Sequence, residues 1–507
     1  HPLSTWKSML RAFCSGLLLP LGFAPFHMPG LVILGLALLF LQLRTQTSKH
    51  AFFLGFTFAL GFFSFGVSWV YVSIHSYGHL NFMLSALITL VFIAYLACYT
   101  GLMAMTYHIL AKNMPNYICV LLFSSLWLIS EFLRSTCLGG FPWLSLGFGQ
   151  IDSPLQHLLP WIGVLGVGWF VALVSGILGL VFLKSNAYKY FSLLLFVLLI
   201  MSPEVFKHKH WTTIDKQAIS VGVIQANLSM RDKWDETLFW HLLDYYQHAA
   251  LTLIQTQQLI VMPESSIPLP SHYVHDFLET LHQEAKEKNS AVLLGIPYPN
   301  PLNDTNYHNS LLGLGHARGV YFKQHLVPFG EFIPRAFSKI NQWLNLPTPN
   351  MAMGNTHQNL ITINQHPVAT LICYELAYPK LLRAQLPTAK WIVSVSDDGW
   401  FGHSLAIYQH LQMAQVLSKQ TGRFQIVSNN DVLSSIINTE GTITHQLSAF
   451  NANILTGVIH PATGSTPWVR IGDVPIVLFS VLIVLITFVF RLKLAASKKR
   501  RYPNQPC

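Results

Sequence analysis

VATLICYELAYPK, residues 368–380, joins an apolar and β-branched run to a segment that is compatible with a helix. This pattern predicts a buried strand that ends in a sharp turn at Cys373, followed by a helix over residues 376–386. At such a turn the sulfur would be exposed near the positive end of a helix, and both conditions favour the nucleophilic thiolate. A structural cysteine in a core strand is the alternative, and this stretch alone does not decide between the two.

Composition separates a membrane part from a water-soluble part. The chain has 507 residues, of which 52% are hydrophobic and 10% are charged, and its mean hydropathy is +0.42. Soluble globular proteins carry roughly 25% charged residues, so the composition predicts a membrane protein. Only three of the 21 acidic residues fall in the first 206 positions. We therefore predict a transmembrane domain over 1–206, a soluble domain over 216–462, a single span over 474–491 and a basic tail over 492–507.

Apolar runs indicate eight transmembrane helices, seven before the soluble domain and one after it. The runs cover about residues 9–26, 29–43, 51–72, 83–111, 117–134, 160–183, 189–203 and 474–490. Within the membrane part, Lys and Arg lie in alternate loops and in the C-terminal tail, with Arg134 at the border of one opposite loop. By the positive-inside rule, this places the N-terminus and the tail in the cytoplasm and the soluble domain outside. Because the basic residues behind the net charge of +10 serve this topology, no nucleic-acid partner is predicted.

Cysteine usage bears on the two alternatives for Cys373. Of the six cysteines, only Cys373 lies in the predicted soluble domain, where it has no disulfide partner within the chain. Exported compartments are usually oxidising, and a single unpaired thiol in one of them favours a reactive role. The histidines are scattered without zinc-site spacing, so neither a metal nor another cofactor is expected.

Glu131 and Arg134 lie three residues apart in the membrane part, and hence on one helical face near the outer membrane border. Charges within a membrane are costly, so a mutual salt bridge is one interpretation of the pair. The other is a substrate-binding site in which Arg134 holds the phosphate of a lipid headgroup. In that case the bend at residues 139–143 would form an interfacial loop.

Between residues 216 and 460, short β-type runs alternate with helical stretches, which is typical of a layered α/β domain. Strands are predicted at 219–225, 258–263, 291–296, 310–314, 368–373, 391–396 and 424–428. Helices are predicted at 235–257, 272–288, 376–386 and 404–421. The apolar loops around residues 334–354 and 398–408 are predicted either to act as lids at the membrane interface or to be ordinary packed loops.

Reactive groups follow three of the predicted strands. Glu264 follows one strand, Lys323 and Glu331 lie in another segment, and Cys373 ends a third. Such strand ends can meet on one rim of a sheet. There Glu264 would accept the thiol proton, Lys323 would stabilise the thiolate and an oxyanion, and the backbone N–H of Tyr374 would be a second oxyanion donor. Taken singly, a Glu or Lys at a strand end is usually just solvated.

Three motifs together resemble the Glu–Lys–Cys triad of the nitrilase superfamily: PES at 263–265, KQHLVPFGE at 323–331 and CYE at 373–375. Further segments resemble the membrane-embedded branch of that superfamily, the apolipoprotein N-acyltransferases of bacterial inner membranes: LPLGFAPF at 19–26, GVSWVYVSI at 66–74, GFPWLSLGFGQ at 140–150, VIQANLSMRDKW at 223–234 and DDGWFGHSLAIYQHLQMA at 397–414. The resemblance spans nearly the whole chain. It departs from the family pattern at Asp397, where an asparagine is common, and over 415–423, which lacks the Arg and Glu expected upstream of Gly422 and Arg423.

The resemblance implies an αββα sandwich for the soluble domain, placed on the periplasmic side of the inner membrane. It implies a catalytic triad of Glu264, Lys323 and Cys373 with Glu331 assisting. Further residues that would contact substrate are Trp234, Tyr374 and Glu375, although a structural role for each stays open. The acyl donor would be a phospholipid such as phosphatidylethanolamine, and the acceptor would be the diacylglyceryl-cysteine of an apolipoprotein.

Two other classes of protein stay open at this point. A membrane-tethered amidase or nitrilase would use the same triad on a small soluble C–N substrate, with water as the acceptor. A transporter or scaffold with a degenerate hydrolase domain is the second class. A degenerate domain has no need of all three triad residues, which argues against this second class.

Overall fold

The chain divides into two compact units, residues 1–209 with 471–507 and residues 210–470. In this computed structural model the described residues are 2–44, 47–78, 80–183, 186–233, 235, 237–301, 306–334, 338–343 and 351–501. Nearly half of the predicted lid loop, residues 335–337 and 344–350, and the predicted substrate-binding residue Trp234 lie outside them.

The longer helices of the described residues follow the predicted apolar and amphipathic runs, whereas several short helices were not predicted. In chain order they are α1 (Pro2–Gly16), α2 (Pro29–Leu43), α3 (Ser48–Gly66), α4 (Val70–Val72), α5 (Phe82–Ala111), α6 (Asn116–Thr136), α7 (Leu159–Val181), α8 (Asn186–Met201), α9 (Met230–Lys233), α10 (Phe239–Ile254), α11 (His275–Glu287), α12 (Ser338–Trp343), α13 (Pro379–Arg383), α14 (Ala406–Thr421), α15 (Pro467–Ile471) and α16 (Val474–Arg501).

The first unit contains helical segments that could cross a membrane by their length and composition. Within the described residues five such segments are found: Phe82–Ala111, Asn116–Gly139, Pro154–Val181, Tyr188–Phe206 and Val474–Lys493. Ser48–Gly66 and Val70–Tyr77 would add a sixth if this pair, bent by 60°, is one span. Helix α2 is apolar but shorter, and α1 ends at Gly16 before a 3-10 turn over Leu19–Gly22. The predicted total of eight spans therefore stays a prediction.

The second unit contains two main sheets. In chain order its strands are β1 (Thr212–Ile214), β2 (Ile219–Gln225), β3 (Leu259–Val261), β4 (Ala291–Pro299), β5 (Tyr307–Gly315), β6 (Ala317–Arg318), β7 (Val320–Phe322), β8 (Ile361–Ile363), β9 (His366–Ile372), β10 (Ile392–Ser396), β11 (Gln425–Asn429), β12 (Ser435–Ile437), β13 (Ile443–Gln446), β14 (Asn453–Ile459) and β15 (Ala462–Gly464). One sheet has the order β14-β2-β3-β4-β5-β7, the other β13-β12-β11-β10-β9-β8-β6, and β1 pairs with β15.

The two sheets pack face to face and each carries helices on its outer side. Side chains of both sheets, such as Leu259 of β3 and Val393 of β10, share one buried cluster. The next residue along β3, Ile260, faces the opposite way and packs in a second cluster with Leu242 of α10 and Leu281 of α11, as expected from the two-residue period of a strand. Helices α13 and α14 lie against the second sheet. The unit is thus an αββα sandwich, as the resemblance implied.

The parallel pairs explain where the reactive groups fall. Strands β2, β3 and β4 are mutually parallel, as are β9, β10 and β11. Parallel neighbours need crossover connections, which α10, α11, α13 and α14 supply. As a result the carboxyl ends of β3, β9 and β10 each carry a polar turn. These turns come from both sheets, whereas the sequence placed the reactive groups on the rim of one sheet.

Candidate active site

Glu264 is positioned by the turn that follows β3. This turn packs against Gly295 of β4. A Cβ added at Gly295 would lie 2.4 Å from the carbonyl oxygen of Pro263 and 2.7 Å from the Cα of Glu264. A side chain at position 295 would therefore displace the general-base candidate. The Oε2 of Glu264 accepts a hydrogen bond from the backbone N–H of Asp397, at 3.0 Å.

Lys323 follows β7 and is almost fully buried between two carboxylates. Its Nζ lies 3.2 Å from Oε1 of Glu264 and 2.9 Å from Oε1 of Glu331. Burial alone would lower the pKa of Lys323, but the charges of Glu264 and Glu331 outweigh it and raise this pKa well above its usual value. Lys323 therefore stays a cation, and Glu331 fixes it in place. The backbone N–H of Val327 in turn donates to Oε2 of Glu331, at 2.8 Å.

Asn309 of β5 bridges the same two carboxylates and was not predicted from the sequence. Its Nδ2 donates to Oε1 of Glu264 at 2.6 Å and to Oε1 of Glu331 at 2.9 Å. Hydrogen bonds to ionised groups are short and strong. Asn309 therefore sets the separation of the two acids, together with Lys323. A lone asparagine inside a predicted strand gives no sequence signal of such a role.

Cys373 occupies the turn that follows β9, as predicted. Its φ is +52°, in the left-handed region, where a non-glycine residue stores roughly 1–3 kcal/mol of strain. The turn continues as a 3-10 segment, Cys373–Ala377, and α13 begins only at Pro379. The predicted helix over 376–386 is therefore wrong, because Pro379 and the tight turn divide that segment into two short pieces.

The thiol is also less exposed and less acidic than the sequence suggested. Cys373 is 8% exposed. Burial, followed by the charge of Glu264, raises the pKa of the Cys373 thiol well above its usual value, while Lys323 acts to lower it. These surroundings favour the neutral thiol, whereas the position near a helix start was predicted to favour the thiolate.

A second polar cluster supports the backbone of the cysteine turn. On α14, His410 has Nε2 3.0 Å from the carbonyl oxygen of Cys373 and Nδ1 2.9 Å from Oδ2 of Asp398. Asp398 in turn accepts from Nδ2 of Asn429 at 2.7 Å. His410 and Asp398 lie within the motif quoted for the resemblance, but no role was predicted for either.

A buried ion pair lies behind Glu264. The Nζ of Lys233 forms an ion pair with Asp397 and donates to the carbonyl oxygen of Glu264, the latter at 3.1 Å. Asn430 also donates to Asp397, at 3.3 Å. Asp397 is the position at which the sequence departs from the common asparagine, and here its charge is balanced by Lys233.

The predicted substrate-contacting residues have different surroundings. Glu375 is fully buried and accepts from Tyr321 Oη and from the backbone N–H groups of Ile372, Gln324 and His325. Burial raises its pKa to about 7. Glu375 therefore holds the turn together and does not present its carboxylate to a ligand. Tyr374 is nearly buried and packs its ring against those of Tyr378 and His325.

Arg134 belongs to the first unit and is 4% exposed. Its Nη1 donates to the carbonyl oxygens of Phe141 and Trp143, each at 2.6 Å. Glu131 accepts from the backbone N–H of Leu146, at 2.9 Å. Both side chains thus bind the loop that follows their helix. A headgroup site needs an exposed guanidinium, whereas that of Arg134 is buried and donates to this loop.

Among the described residues, no group of three or more His, Cys, Asp or Glu side chains is arranged to hold a metal ion.

Comparison with known proteins gives concordant matches for both units. A family model described as the apolipoprotein N-acyltransferase N-terminal domain matches residues 15–177, and one described as carbon-nitrogen hydrolase matches residues 220–466. An apolipoprotein N-acyltransferase of Coxiella burnetii is 35% identical over 94% of this chain and 99% of its own length. Relatives of the same name are 34% identical in Methylococcus capsulatus, over 98% of both chains, and 35% identical in Pseudomonas aeruginosa, over 92% of both. Identity at this level over nearly the full length means that the chain belongs to the apolipoprotein N-acyltransferase family.

Proposed function

We propose that this protein transfers an acyl chain from a membrane phospholipid to the α-amino group of the diacylglyceryl-cysteine of an apolipoprotein. Family membership supports the reaction class. The observation that carries the proposal is the position of Lys323, with its ammonium within 3.2 Å of Glu264 and 2.9 Å of Glu331 and its charge acting on the thiol of Cys373. This is a base, a cation and a nucleophile in one buried cluster.

The first half-reaction forms a thioester on Cys373. Glu264 accepts the proton of the thiol while the sulfur attacks the ester carbonyl carbon of the phospholipid. Counted together with the thiol of Cys373, the cluster of Glu264, Glu331 and Lys323 carries one net negative charge, and moving the proton from sulfur to Glu264 keeps that total constant. Lys323 and the backbone N–H of Tyr374 stabilise the oxyanion of the tetrahedral intermediate. When the ester C–O bond breaks, the leaving lysophospholipid takes the proton from Glu264.

The second half-reaction moves the acyl group to the amine. The neutral α-amine of the acceptor attacks the thioester carbon, and Glu264 accepts an amine proton. The C–S bond then breaks, an amide forms, and the proton on Glu264 returns to the sulfur of Cys373. An amide is more stable than a thioester, which drives the sequence forward. The result is a ping-pong mechanism with the acyl-enzyme as its intermediate.

Residues beside the triad have positioning roles in this proposal. Glu331 orients the ammonium of Lys323 and keeps it charged. Tyr374 contributes its backbone N–H and packs its ring beside the cysteine turn. Trp234 is assigned to the substrate pocket on the resemblance alone.

Both proposed substrates are anchored in a membrane, which suits an enzyme with several apolar helices long enough to span one. We assign seven spans to residues 1–206, the catalytic domain to 216–462, and the eighth span to 474–491. The tail over 492–507 would lie in the cytoplasm. The distribution of Lys and Arg supports a catalytic domain on the periplasmic side of the inner membrane. Phosphatidylethanolamine is the proposed acyl donor.

Intact-protein mass spectrometry tests the proposal directly. Detergent-purified enzyme mixed with phosphatidylethanolamine alone should gain the mass of one acyl group on Cys373, and neutral hydroxylamine should remove it. A diacylated lipopeptide should then discharge the adduct and gain the acyl group itself. The Cys373→Ala variant should show neither step. If the wild-type enzyme forms no adduct and hydrolyses short soluble amides, the amidase alternative is correct and the proposed function is wrong.

A further inference from the structure

His410 carries hydrogen on both of its ring nitrogens. Its Nδ1 lies 3.1 and 2.9 Å from the two carboxylate oxygens of Asp398, and its Nε2 lies 3.0 Å from the carbonyl oxygen of Cys373. A carboxylate and a carbonyl oxygen can only accept hydrogen bonds, so each ring nitrogen must donate. The buried ring is therefore an imidazolium.

The surroundings of His410 hold that charge in place. Burial acts to lower the pKa of His410, but the charge and hydrogen bond of Asp398 outweigh it, followed by the hydrogen bond to Cys373 and the charge of Glu264, so that this pKa is raised. Asp398 is itself clamped, since Nδ2 of Asn429 donates to its Oδ2 at 2.7 Å and its own N–H donates to Oδ1 of Asn429 at 3.2 Å. The ring is thus fixed from α14 on one side and from the ends of β10 and β11 on the other.

His410 does not act on the sulfur as a base. The two nitrogens already donate to Asp398 and to the Cys373 carbonyl, and an imidazolium has no lone pair for a proton. This differs from a cysteine–histidine pair, in which the ring accepts the thiol proton. The target of His410 is the peptide group between Cys373 and Tyr374.

That peptide group has two ends with linked properties. Its carbonyl oxygen accepts from the imidazolium, and its N–H is the proposed oxyanion donor of Tyr374. A cation that pulls electron density toward the carbonyl oxygen makes the N–H of the same amide a stronger donor, because hydrogen bonds in a chain polarise one another. The same contact restrains the left-handed conformation of Cys373, at φ +52°.

We propose that His410, held by Asp398, is a positioning residue that strengthens the oxyanion hole through the Cys373–Tyr374 peptide. This inference rests on the proposed function, since it concerns the oxyanion formed in both half-reactions. It assigns His410 and Asp398 an effect on the transition state and none on the binding of the phospholipid.

Two variants separate the charge of the ring from its packing. Asp398→Asn is isosteric, and its amide can donate to Nδ1 while its oxygen still accepts from Asn429. The ring then becomes neutral but keeps an Nε2–H for the Cys373 carbonyl, so the hydrogen bonds survive and the charge is lost. His410→Gln removes the ring and retains one N–H donor. His282→Gln is the matched control, because His282 accepts from the backbone N–H of Gly315 and lies outside the cluster.

The readouts are the rate of thioester formation, the KM for phosphatidylethanolamine and the infrared carbonyl stretch of the acyl-enzyme made with a 13C-carbonyl lipid. Deleting an oxyanion donor costs about 10²–10³ in rate, so weakening one should cost about tenfold to a hundredfold. We expect both variants to show this loss in the rate of acylation with KM unchanged. The carbonyl stretch should move to higher frequency, since a weaker donor polarises the thioester less. His282→Gln should match the wild type.

The outcomes distinguish this inference from the proposed function. No adduct on the wild-type enzyme would contradict the proposed function. A wild-type adduct together with wild-type rates in Asp398→Asn would overturn the role of His410 alone. A rate loss with an unmoved carbonyl stretch would also overturn it, because the residue would then act only on stability. Should His410→Gln fail to fold, the isosteric Asp398→Asn decides by the same two readouts.

Discussion

Replacing Asn309 by aspartate should remove the general base at neutral pH. The Nδ2 of Asn309 lies 2.6 Å from Glu264 and 2.9 Å from Glu331, so a carboxylate there would face two others. At an effective dielectric constant of about 20, each such contact repels by about 6 kcal/mol. Keeping one carboxyl group protonated at pH 7 costs only about 4 kcal/mol. The three carboxylates at positions 264, 309 and 331 would therefore bind a proton at pH 7. This proton occupies the acceptor that the thiol proton needs.

The expected result is a large loss that depends on pH. In Asn309→Asp the rate of thioester formation at pH 7 should fall by about 10²–10⁴, the usual worth of a general base. The rate should recover as pH rises through the raised pKa of the cluster. Asn309→Ala removes the two donated hydrogen bonds and adds no charge. Its rate should fall by about tenfold to a hundredfold with an unchanged pH profile, because only the bond to Glu264 orients the base, and one hydrogen bond to a charged group is worth about 1.5–3 kcal/mol.

Quenched time courses of Cys373 acylation between pH 6 and pH 9, followed by intact-protein mass spectrometry, measure these rates. Ser310→Ala is the matched control, because Ser310 is the next residue of β5, faces the other way and donates to the carbonyl oxygen of Ile296. It should keep the wild-type rate and profile. The reasoning is refuted if Asn309→Asp follows the wild-type pH profile, or if the aspartate and alanine variants lose the same amount at every pH.

Three further predictions concern buried charges. Lys233→Met leaves the charge of Asp397 without its ion-pair partner and should lower the free energy of unfolding by about 3–5 kcal/mol, measured by denaturant titration. Adding Asp397→Asn should restore most of that free energy. An unchanged denaturation midpoint in the single variant would contradict the pairing. Burial, followed by the charges of Asp397 and Asp398, raises the pKa of Asp431 from 3.8 to about 8. Its contribution to stability is thus fully present below about pH 4 and lost as pH rises through 8. In Asp431→Asn the melting temperature should therefore vary less with pH over this window. The same dependence of melting temperature on pH in both proteins would rule this out. Arg134→Ala should lower the melting temperature, because two buried carbonyl groups lose their hydrogen-bond donor. It should leave the KM for phospholipid unchanged. A raised KM at unchanged stability would restore the headgroup hypothesis.

Sequence patterns predicted most of the longer strands of the second unit, including those that precede Glu264 and Cys373, but not β7, which precedes Lys323. The predicted strands at 219–225, 291–296 and 368–373 coincide with β2, β4 and β9 to within three residues, because buried strands need continuous apolar runs bounded by polar turns. Glu264 and Cys373 were found because each directly follows such a run. The short strands β6, β8 and β12 were not predicted, since two or three residues give no measurable period.

The partners of the triad were decided by tertiary structure. Asn309 is 45 positions from Glu264, and His410 is 37 positions from Cys373, so only the packing of strands and helices brings them together. The state of the thiol was likewise beyond the sequence. A cysteine near a helix start suggested a thiolate, but the pKa depends on desolvation and on the charge of Glu264, and both depend on what the folded chain packs around the sulfur. The sequence by itself therefore predicted the candidate reactive groups, and the tertiary structure decided their surroundings and orientation, because desolvation and hydrogen bonding between distant segments arise only on folding.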